Sequence, residues 1–188
     1  MEKQVAVLID GDNISAKYAE SIKQEALQYG NIKVFRLYGS VNSPNTKKWY
    51  PVMPRQGIMP VLQISYASGK SIADQALTID AMDLLHSEGI DVFCIASSDS
   101  DFTKLASRLR ESGKMVIGMG EDKTPLPFRK ACDIFTVLEV LLEDNTIEKE
   151  ESEGKFYHPH VFGRGQKKIS GASLSSSKGR SSKEKIEK

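Results

Sequence analysis

Short apolar runs alternate with helical stretches along most of this chain, and this alternation constrains its fold more than any other feature. Runs that predict buried strands lie at residues 5–9, 32–38, 58–64, 91–96, 115–119 and 134–137. Helical periodicity separates successive runs, as in residues 15–29 and 46–56. Strands that alternate with helices form a parallel sheet covered by helices on both faces. We therefore predict an α/β fold, a three-layer α/β/α sandwich around a mainly parallel sheet of five to six strands.

Two of the predicted strands end in pairs of aspartates. Asp10 and Asp12 follow the first strand in I-D-G-D-N, and Asp99 and Asp101 follow the fourth in A-S-S-D-S-D-F. In an open parallel sheet, ligands bind beyond the carboxyl ends of the strands, where the strand order reverses. If the order is 3-2-1-4-5, both pairs meet at that edge. Crowded carboxylates are costly without a cation, and oxygen ligands suit Mg²⁺ or Mn²⁺, so we predict a metal site.

The same aspartates also have a structural interpretation as helix caps. Asp12 or Asn13 can cap the helix after the first strand, and Asp99 or Ser100 can cap the helix after the fourth. Each cap accounts for one acid of a pair and leaves the other without a structural role. The repetition of the pattern after two strands favours a shared site.

A third acidic segment lies in the predicted helix 72–87. Asp74 opens this helix at the end nearest to the sheet edge, and we assign it to the metal, although a carboxylate there also favours the helix dipole. Asp80 lies six residues later on a different side of the helix. It is either a supporting group behind the metal ligands or a surface charge. Asp83 is expected to be solvated.

Three motifs together resemble the NYN domain of the LabA-like (DUF88) group, within the PIN-like nuclease superfamily. They are I-D-G-D-N, G-K-x-x-A-D with a following I-D-A helix, and A-S-S-D-S-D-F, and the resemblance spans residues 4–142. It implies a Rossmann-like, PIN-like fold and a metal-dependent phosphodiesterase that acts on RNA with Mg²⁺ or Mn²⁺. The acids that match the catalytic and metal-binding positions are Asp10, Asp74, Asp99 and Asp101.

Other residues are expected to support this site. Asn13 matches the family's asparagine after the first strand, and Ser98 stands where the family commonly has glycine, in a turn that serine also fits. Phosphate contacts are expected near the same edge from Arg36, Lys70 and Lys104, against the alternative of plain surface charge. Aromatic residues such as Trp49 either stack on unpaired bases or pack between helix and sheet.

The charge is distributed unevenly along the 188 residues. Residues 154–188 carry nine Lys or Arg against two Glu, a net charge of +7, whereas the whole chain carries +1. Residues 1–153 therefore carry −6. We predict a folded domain over residues 1–144 and a flexible basic tail or linker over residues 145–188, because the Ser/Gly/Lys-rich segment has too few large apolar residues to fold alone. Such a tail either leads to a further C-terminal domain or adds electrostatic affinity for nucleic acid.

Several protein classes do not fit the composition. Two cysteines, Cys94 and Cys132, are too few for a disulfide framework or a zinc cluster. Since no long apolar span or N-terminal signal pattern is visible, we expect a cytoplasmic protein without a membrane partner. RNA is the expected partner, and a homodimer is a further expectation.

Two other functions compete with RNA hydrolysis. The chain can be an RNA-binding or regulatory module that keeps the fold with weak or no turnover. Alternatively, I-D-G-D-N superficially fits the D-x-D motif of haloacid dehalogenase-type phosphatases, with Asp10 as nucleophile and Asp12 as general acid. That family also needs a lysine before the late acidic motif, and a suitable one is not obvious here.

Overall fold

The structure, a computed structural model, describes residues 2–64, 72–87 and 89–142. The predicted tail at 145–188 and the candidate phosphate contact Lys70 lie outside these residues. The strands are β1 Gln4–Asp10, β2 Asn31–Ser40, β3 Met59–Gln63, β4 Val92–Ala96, β5 Met115–Gly120 and β6 Ile134–Val137. The α-helices are α1 Ala19–Leu27, α2 Pro44–Trp49, α3 Met53–Gln56, α4 Ile72–His86, α5 Thr103–Glu111 and α6 Leu126–Ala131. Short 3₁₀ turns lie at Ala16–Tyr18 and Ser100–Phe102.

The six strands form one sheet in the order β3-β2-β1-β4-β5-β6, and every pairing is parallel. The predicted α/β class and the assumed central pairing of β1 with β4 are therefore confirmed. Parallel strands at the centre are buried on both faces, which explains why β1 and β4 read as continuous apolar runs. Residues 5–9 and 92–96 have no exposed surface.

Helices cover both faces of the sheet and complete the three layers. On one face, Ile22 of α1, Trp49 of α2 and Met53 of α3 pack against the odd-numbered residues of β1. On the other face, the core is formed by Leu77 of α4, Leu105 of α5 and Phe128 of α6, among others. None of the described helices is both long enough and apolar enough to cross a membrane.

Two of the predicted helices are broken in the structure. The helix predicted at 15–29 begins with a 3₁₀ turn before α1, and the helix predicted at 46–56 is divided into α2 and α3. Pro51 lies in that division and cannot donate a backbone hydrogen bond, while Pro54 sits in the first turn of α3, where the missing N–H costs nothing. Prolines therefore separate the two short helices, and Gly57, with a φ of 73°, ends α3.

Candidate functional site

Ser97 joins the two aspartate pairs at the carboxyl edge of the sheet. Because Ile9 of β1 is paired with Ala96 of β4, the next residues along each strand are neighbours. The hydroxyl of Ser97 donates to Asp10 Oδ2 at 2.7 Å and accepts from the Asp99 backbone N–H at 3.0 Å. Ser97 is fully buried, and it was not among the predicted site residues. The sequence feature that could have identified Ser97 is its position as a hydroxyl residue directly after a buried strand.

Asp10 is the buried acid of the site, with 1% of its surface exposed. Asn13 donates to it twice, from Nδ2 to Oδ2 at 2.7 Å and from the backbone N–H to Oδ1 at 3.3 Å. Burial raises the pKa of Asp10 to about 6, even though the hydrogen bonds from Ser97 and Asn13 lower it. The charge of Asp74 raises this pKa further, so Asp74 lies within electrostatic range of Asp10.

Asp74 and Asp101 line one cavity of about 380 Å³. Asp74 is in the first turn of α4, where the helix dipole favours a negative charge, and Asp101 is exposed in the turn that follows β4. The other residues that line the cavity are Gln75, Thr78, Ile79 and Phe102. Acids from two separate segments of the chain therefore face the same open space.

Asp99 and Ser98 hold the backbone at the end of β4. Asp99 Oδ1 accepts from the Asp101 backbone N–H at 2.9 Å, so Asp99 caps the 3₁₀ turn as the structural interpretation predicted. Ser98 Oγ accepts from the Glu121 N–H at 3.0 Å and ties this loop to the end of β5. The serine at the family's glycine position is thus accommodated by a bond of its own.

The carboxylate oxygens at this edge are of the ligand type that a hard cation such as Mg²⁺ takes. In the part of the chain that the structure describes, no three or more His, Cys, Asp or Glu side chains are gathered closely enough to hold a metal ion by themselves. Mg²⁺ usually keeps several waters and is held by one or two carboxylates plus substrate phosphates. The neighbouring charges of Asp10 and Asp74, with Asp101 across the cavity, meet that smaller requirement.

Asp12 has a structural role, because both of its carboxylate oxygens accept hydrogen bonds within the fold. Both of its carboxylate oxygens accept from the Ser40 N–H at 3.1 Å, and Oδ1 also accepts from Thr46 Oγ1 at 2.6 Å. Thr46 is fully buried in α2. The two acids of I-D-G-D-N therefore have different environments: Asp10 bonds to Ser97, directly after β4, and Asp12 bonds to the last residue of β2 and to α2.

The I-D-G-D-N loop is fastened to α2 by two further side chains. Asn45 Nδ2 donates to the carbonyls of Gly11, Asp12 and Ile14 at 3.0, 3.2 and 2.8 Å. Trp49 Nε1 donates to the Ile14 carbonyl at 2.9 Å, and its ring is fully buried. Trp49 therefore packs in the core, and its side chain is not accessible for stacking on a base. Asn45 was not identified from the sequence, because nothing local marks its three acceptors.

Replacing Gly39 with alanine should destabilise this junction by about 1–3 kcal/mol. A Cβ at Gly39 would lie 2.3 Å from Thr46 Oγ1 and 2.8 Å from Thr46 Cγ2, so the side chain that holds Asp12 must move. Urea unfolding measures the loss. In a Thr46→Ala background the same glycine replacement should cost much less, and an equal cost in both backgrounds would contradict overpacking as the cause.

Asp80 pairs with residues of β2, outside the Asp10 environment. Its two oxygens accept from Arg36 Nη1, each at 2.6 Å, and Oδ2 also accepts from the Tyr38 hydroxyl. Burial, followed by the Asp80 contact, raises the pKa of Tyr38. Arg36 was expected as a phosphate contact near the sheet edge, but it lies inside β2 with its guanidinium engaged by Asp80. Since Tyr38 is paired with Asp10 in the sheet, this network braces α4 on the strand beside the buried acid.

Arg36→Met should lower the free energy of unfolding by about 1–3 kcal/mol, because it leaves the Asp80 carboxylate without its cation. The range lies below that of a fully buried pair, since the two side chains are 33% and 24% exposed and solvent screens part of their attraction. Urea unfolding of Arg36→Met, Asp80→Asn and the double variant measures the coupling. The double variant should be less destabilised than the sum of the single variants, and strict additivity would contradict a coupled pair.

The remaining predicted phosphate contact, Lys104, is exposed in the first turn of α5. It lies at the same edge of the sheet as the aspartates, because α5 follows β4 through the Asp101 turn. Of the predicted RNA contacts, the structure thus leaves Lys104 at the site edge and places Arg36 in an ion pair.

Comparisons with known proteins agree on the kind of domain. The sequence model of the NYN domain matches residues 4–139. An uncharacterized protein of Methanocaldococcus jannaschii, MJ0482, is 26% identical over 125 residues, which are 64% of this chain and 49% of that protein. The chain thus spans about half the length of this relative. A protein of unknown function from Vibrio parahaemolyticus, VPA0982, has the same fold, with a TM-score of 0.60 and 19% identity over 72% of this chain and 93% of that chain.

Proposed function

Since this chain belongs to the NYN domain family, we propose that it is a metal-dependent ribonuclease of the LabA-like (DUF88) group in the PIN-like superfamily. The observation that carries the proposal is Asp10, a buried carboxylate at the edge where β1 and β4 meet, within range of the charge of Asp74. Such an edge is where open α/β sheets bind their ligands.

A purely structural role does not explain Asp10. None of the ion pairs among the described residues includes it, and its surroundings raise its pKa to about 6. Hydrogen bonds from Ser97 and Asn13 orient the carboxylate without neutralising it. A buried acid with a perturbed pKa beside a second acid is typical of a functional site. A bound cation would relieve this unfavourable charge.

In this proposal Asp10, Asp74 and Asp101 hold Mg²⁺ or Mn²⁺, and Asp99 keeps Asp101 in place through the capped turn. The cation supplies Lewis-acid stabilisation of the phosphate and an acidified water as nucleophile. Ser97 and Asn13 fix the direction of the Asp10 carboxylate, and such outer partners orient metal ligands in known sites. RNA as the substrate follows from the family resemblance, and exposed Lys104 at the same edge is compatible with a polyanion.

One alternative is an RNA-binding module of the same fold without turnover. The observation in its favour is that Asp99 serves as a cap, while no three-acid cluster is formed among the residues described. The phosphatase alternative is less well supported. It needs Asp12 as a general acid beside Asp10, but the hydrogen bonds of Asp12 engage it with Ser40 and Thr46.

Cleavage of single-stranded and structured RNA in Mg²⁺, Mn²⁺ or EDTA tests the proposal. We expect cleavage with a divalent metal and none with EDTA. Asp101→Asn should lose at least about 90% of the rate, because it removes an exposed cavity acid that the fold does not need. Asp83→Asn is the matched control, since Asp83 is an exposed acid elsewhere on α4. RNA binding without metal-dependent cleavage would favour the non-catalytic alternative.

A further inference from the structure

Helix α2 carries two adjacent lysines, and it is hydrogen-bonded to the loop at residues 11–14 that follows Asp10. Lys47 and Lys48 are both exposed, and neither forms an ion pair within the described residues. The helix follows β2, so it lies at the same edge of the sheet as Asp10. These lysines were not among the predicted phosphate contacts.

Helix α2 is attached to the segment after Asp10 by five side-chain hydrogen bonds. Asn45 binds three carbonyls of the loop at residues 11–14, Thr46 binds Asp12, and Trp49 binds the Ile14 carbonyl. Every one of these bonds ends on the segment that follows Asp10. The position of the two lysines relative to the buried acid is therefore set by hydrogen bonds through both the side chains and the backbone of that loop.

The charges of the site make such cations useful. Asp10, Asp74 and Asp101 repel a phosphate chain, and residues 1–153 carry a net charge of −6. A polyanion that approaches an acidic centre gains affinity from lysines beside it, and the gain comes largely from released counterions. A lysine held on a fixed helix also fixes the register of the RNA backbone, which a freely moving one does not.

From these observations we infer that Lys47 and Lys48 of α2 bind backbone phosphates of single-stranded RNA that lies across the Asp10 edge. This inference rests on the proposed function and extends it from the reaction centre to the path of the substrate. The lysines contact phosphates, so they contribute to affinity for every sequence and do not act in the chemical step. The predicted consequence is a salt-dependent loss of binding when their charge is removed.

The test measures binding of a fluorescent single-stranded RNA by anisotropy over a range of salt concentrations, in an Asp10→Asn background that keeps the RNA intact. Lys47→Gln/Lys48→Gln should bind about tenfold more weakly at low salt, and the slope of log K against log salt should fall by about 1.4, or about 0.7 per phosphate contact. Lys47→Arg/Lys48→Arg should retain the slope.

The control is Lys33→Gln/Lys130→Gln, which removes the same charge from two exposed lysines away from α2. Equal slopes in the α2 variant and this control would overturn the inference. Cleavage by the same variants with Asp10 present should show a raised KM and an unchanged kcat. If the unaltered protein fails to cleave but the slope still depends on α2, the proposed function fails while the RNA path stands.

Discussion

Asp10→Asn is expected to reduce metal-dependent RNA cleavage by at least about a hundredfold and to stabilise the metal-free protein above pH 6. The loss of activity follows from removing the charge of an acid that is buried at the site. The gain in stability of Asp10→Asn follows from removing a carboxylate whose pKa is raised to about 6 by burial. A structural acid would behave in the opposite way, because its loss would cost stability.

The pH dependence of this stabilisation has a defined sign. The ordinary pKa of an Asp carboxyl is 3.8, as in the unfolded chain, and burial raises the pKa of Asp10 to about 6 in the folded protein. As the pH falls from above 6 towards 4, the folded state takes up a proton before the unfolded state does, so the unaltered protein gains stability. The unfavourable charge is fully present above pH 6, where it amounts to about 3 kcal/mol for a shift of about two units.

Urea unfolding in EDTA at pH 8 and pH 4.5 measures this effect. Asp10→Asn should be more stable than the unaltered protein by up to about 3 kcal/mol at pH 8 and by much less at pH 4.5. Asp83→Asn, which removes an exposed acid from α4, should change neither value appreciably. A loss of stability at pH 8 would show that Asp10 is held for structural reasons, and it would remove the main support for a metal site.

Ser97→Ala is expected to weaken the apparent affinity for Mn²⁺ by about ten- to a hundredfold, because groups that orient a metal ligand commonly contribute that much. The variant removes the bond from Ser97 Oγ to Asp10 Oδ2 and the acceptor for the Asp99 N–H. Both aspartate segments therefore lose their shared support. The measurement is the rate of RNA cleavage as a function of Mn²⁺ concentration.

Ser98→Ala provides the neighbouring control. Ser98 Oγ accepts from the Glu121 N–H, whereas Ser97 holds Asp10, so loss of Ser98 Oγ should leave the Mn²⁺ dependence within about twofold of the unaltered protein. If Ser97→Ala and Ser98→Ala give the same Mn²⁺ dependence, Ser97 does not position the site, and the link between the two aspartate pairs is only structural.

The strands and their parallel direction were accessible from the sequence because both depend on simple patterns, whereas the strand order was an assumption that the structure confirmed. Continuous apolar runs such as residues 5–9 and 92–96 suit only strands that are covered on both faces. Helices between successive strands then require parallel pairing. Residues 46–56 were predicted as one short helix with prolines at or near its break points, and the structure divides them into α2 and α3 at Pro51, which lacks the backbone N–H that a single helix would need.

The sequence by itself determined that acids lie at the ends of β1 and β4 and at the start of α4, since these positions follow from where local elements begin and end. Only the tertiary structure decided which partners each of those acids has and whether it is buried. Asp10 and Ser97 are separated by 87 residues, and Arg36 and Asp80 by 44, so their contacts depend on strand order and register. Asp10 and Asp12 are two residues apart in one motif, yet one is directed to β4 and the other to α2. A side chain's neighbours, rather than its position in a motif, set its charge state and its partners.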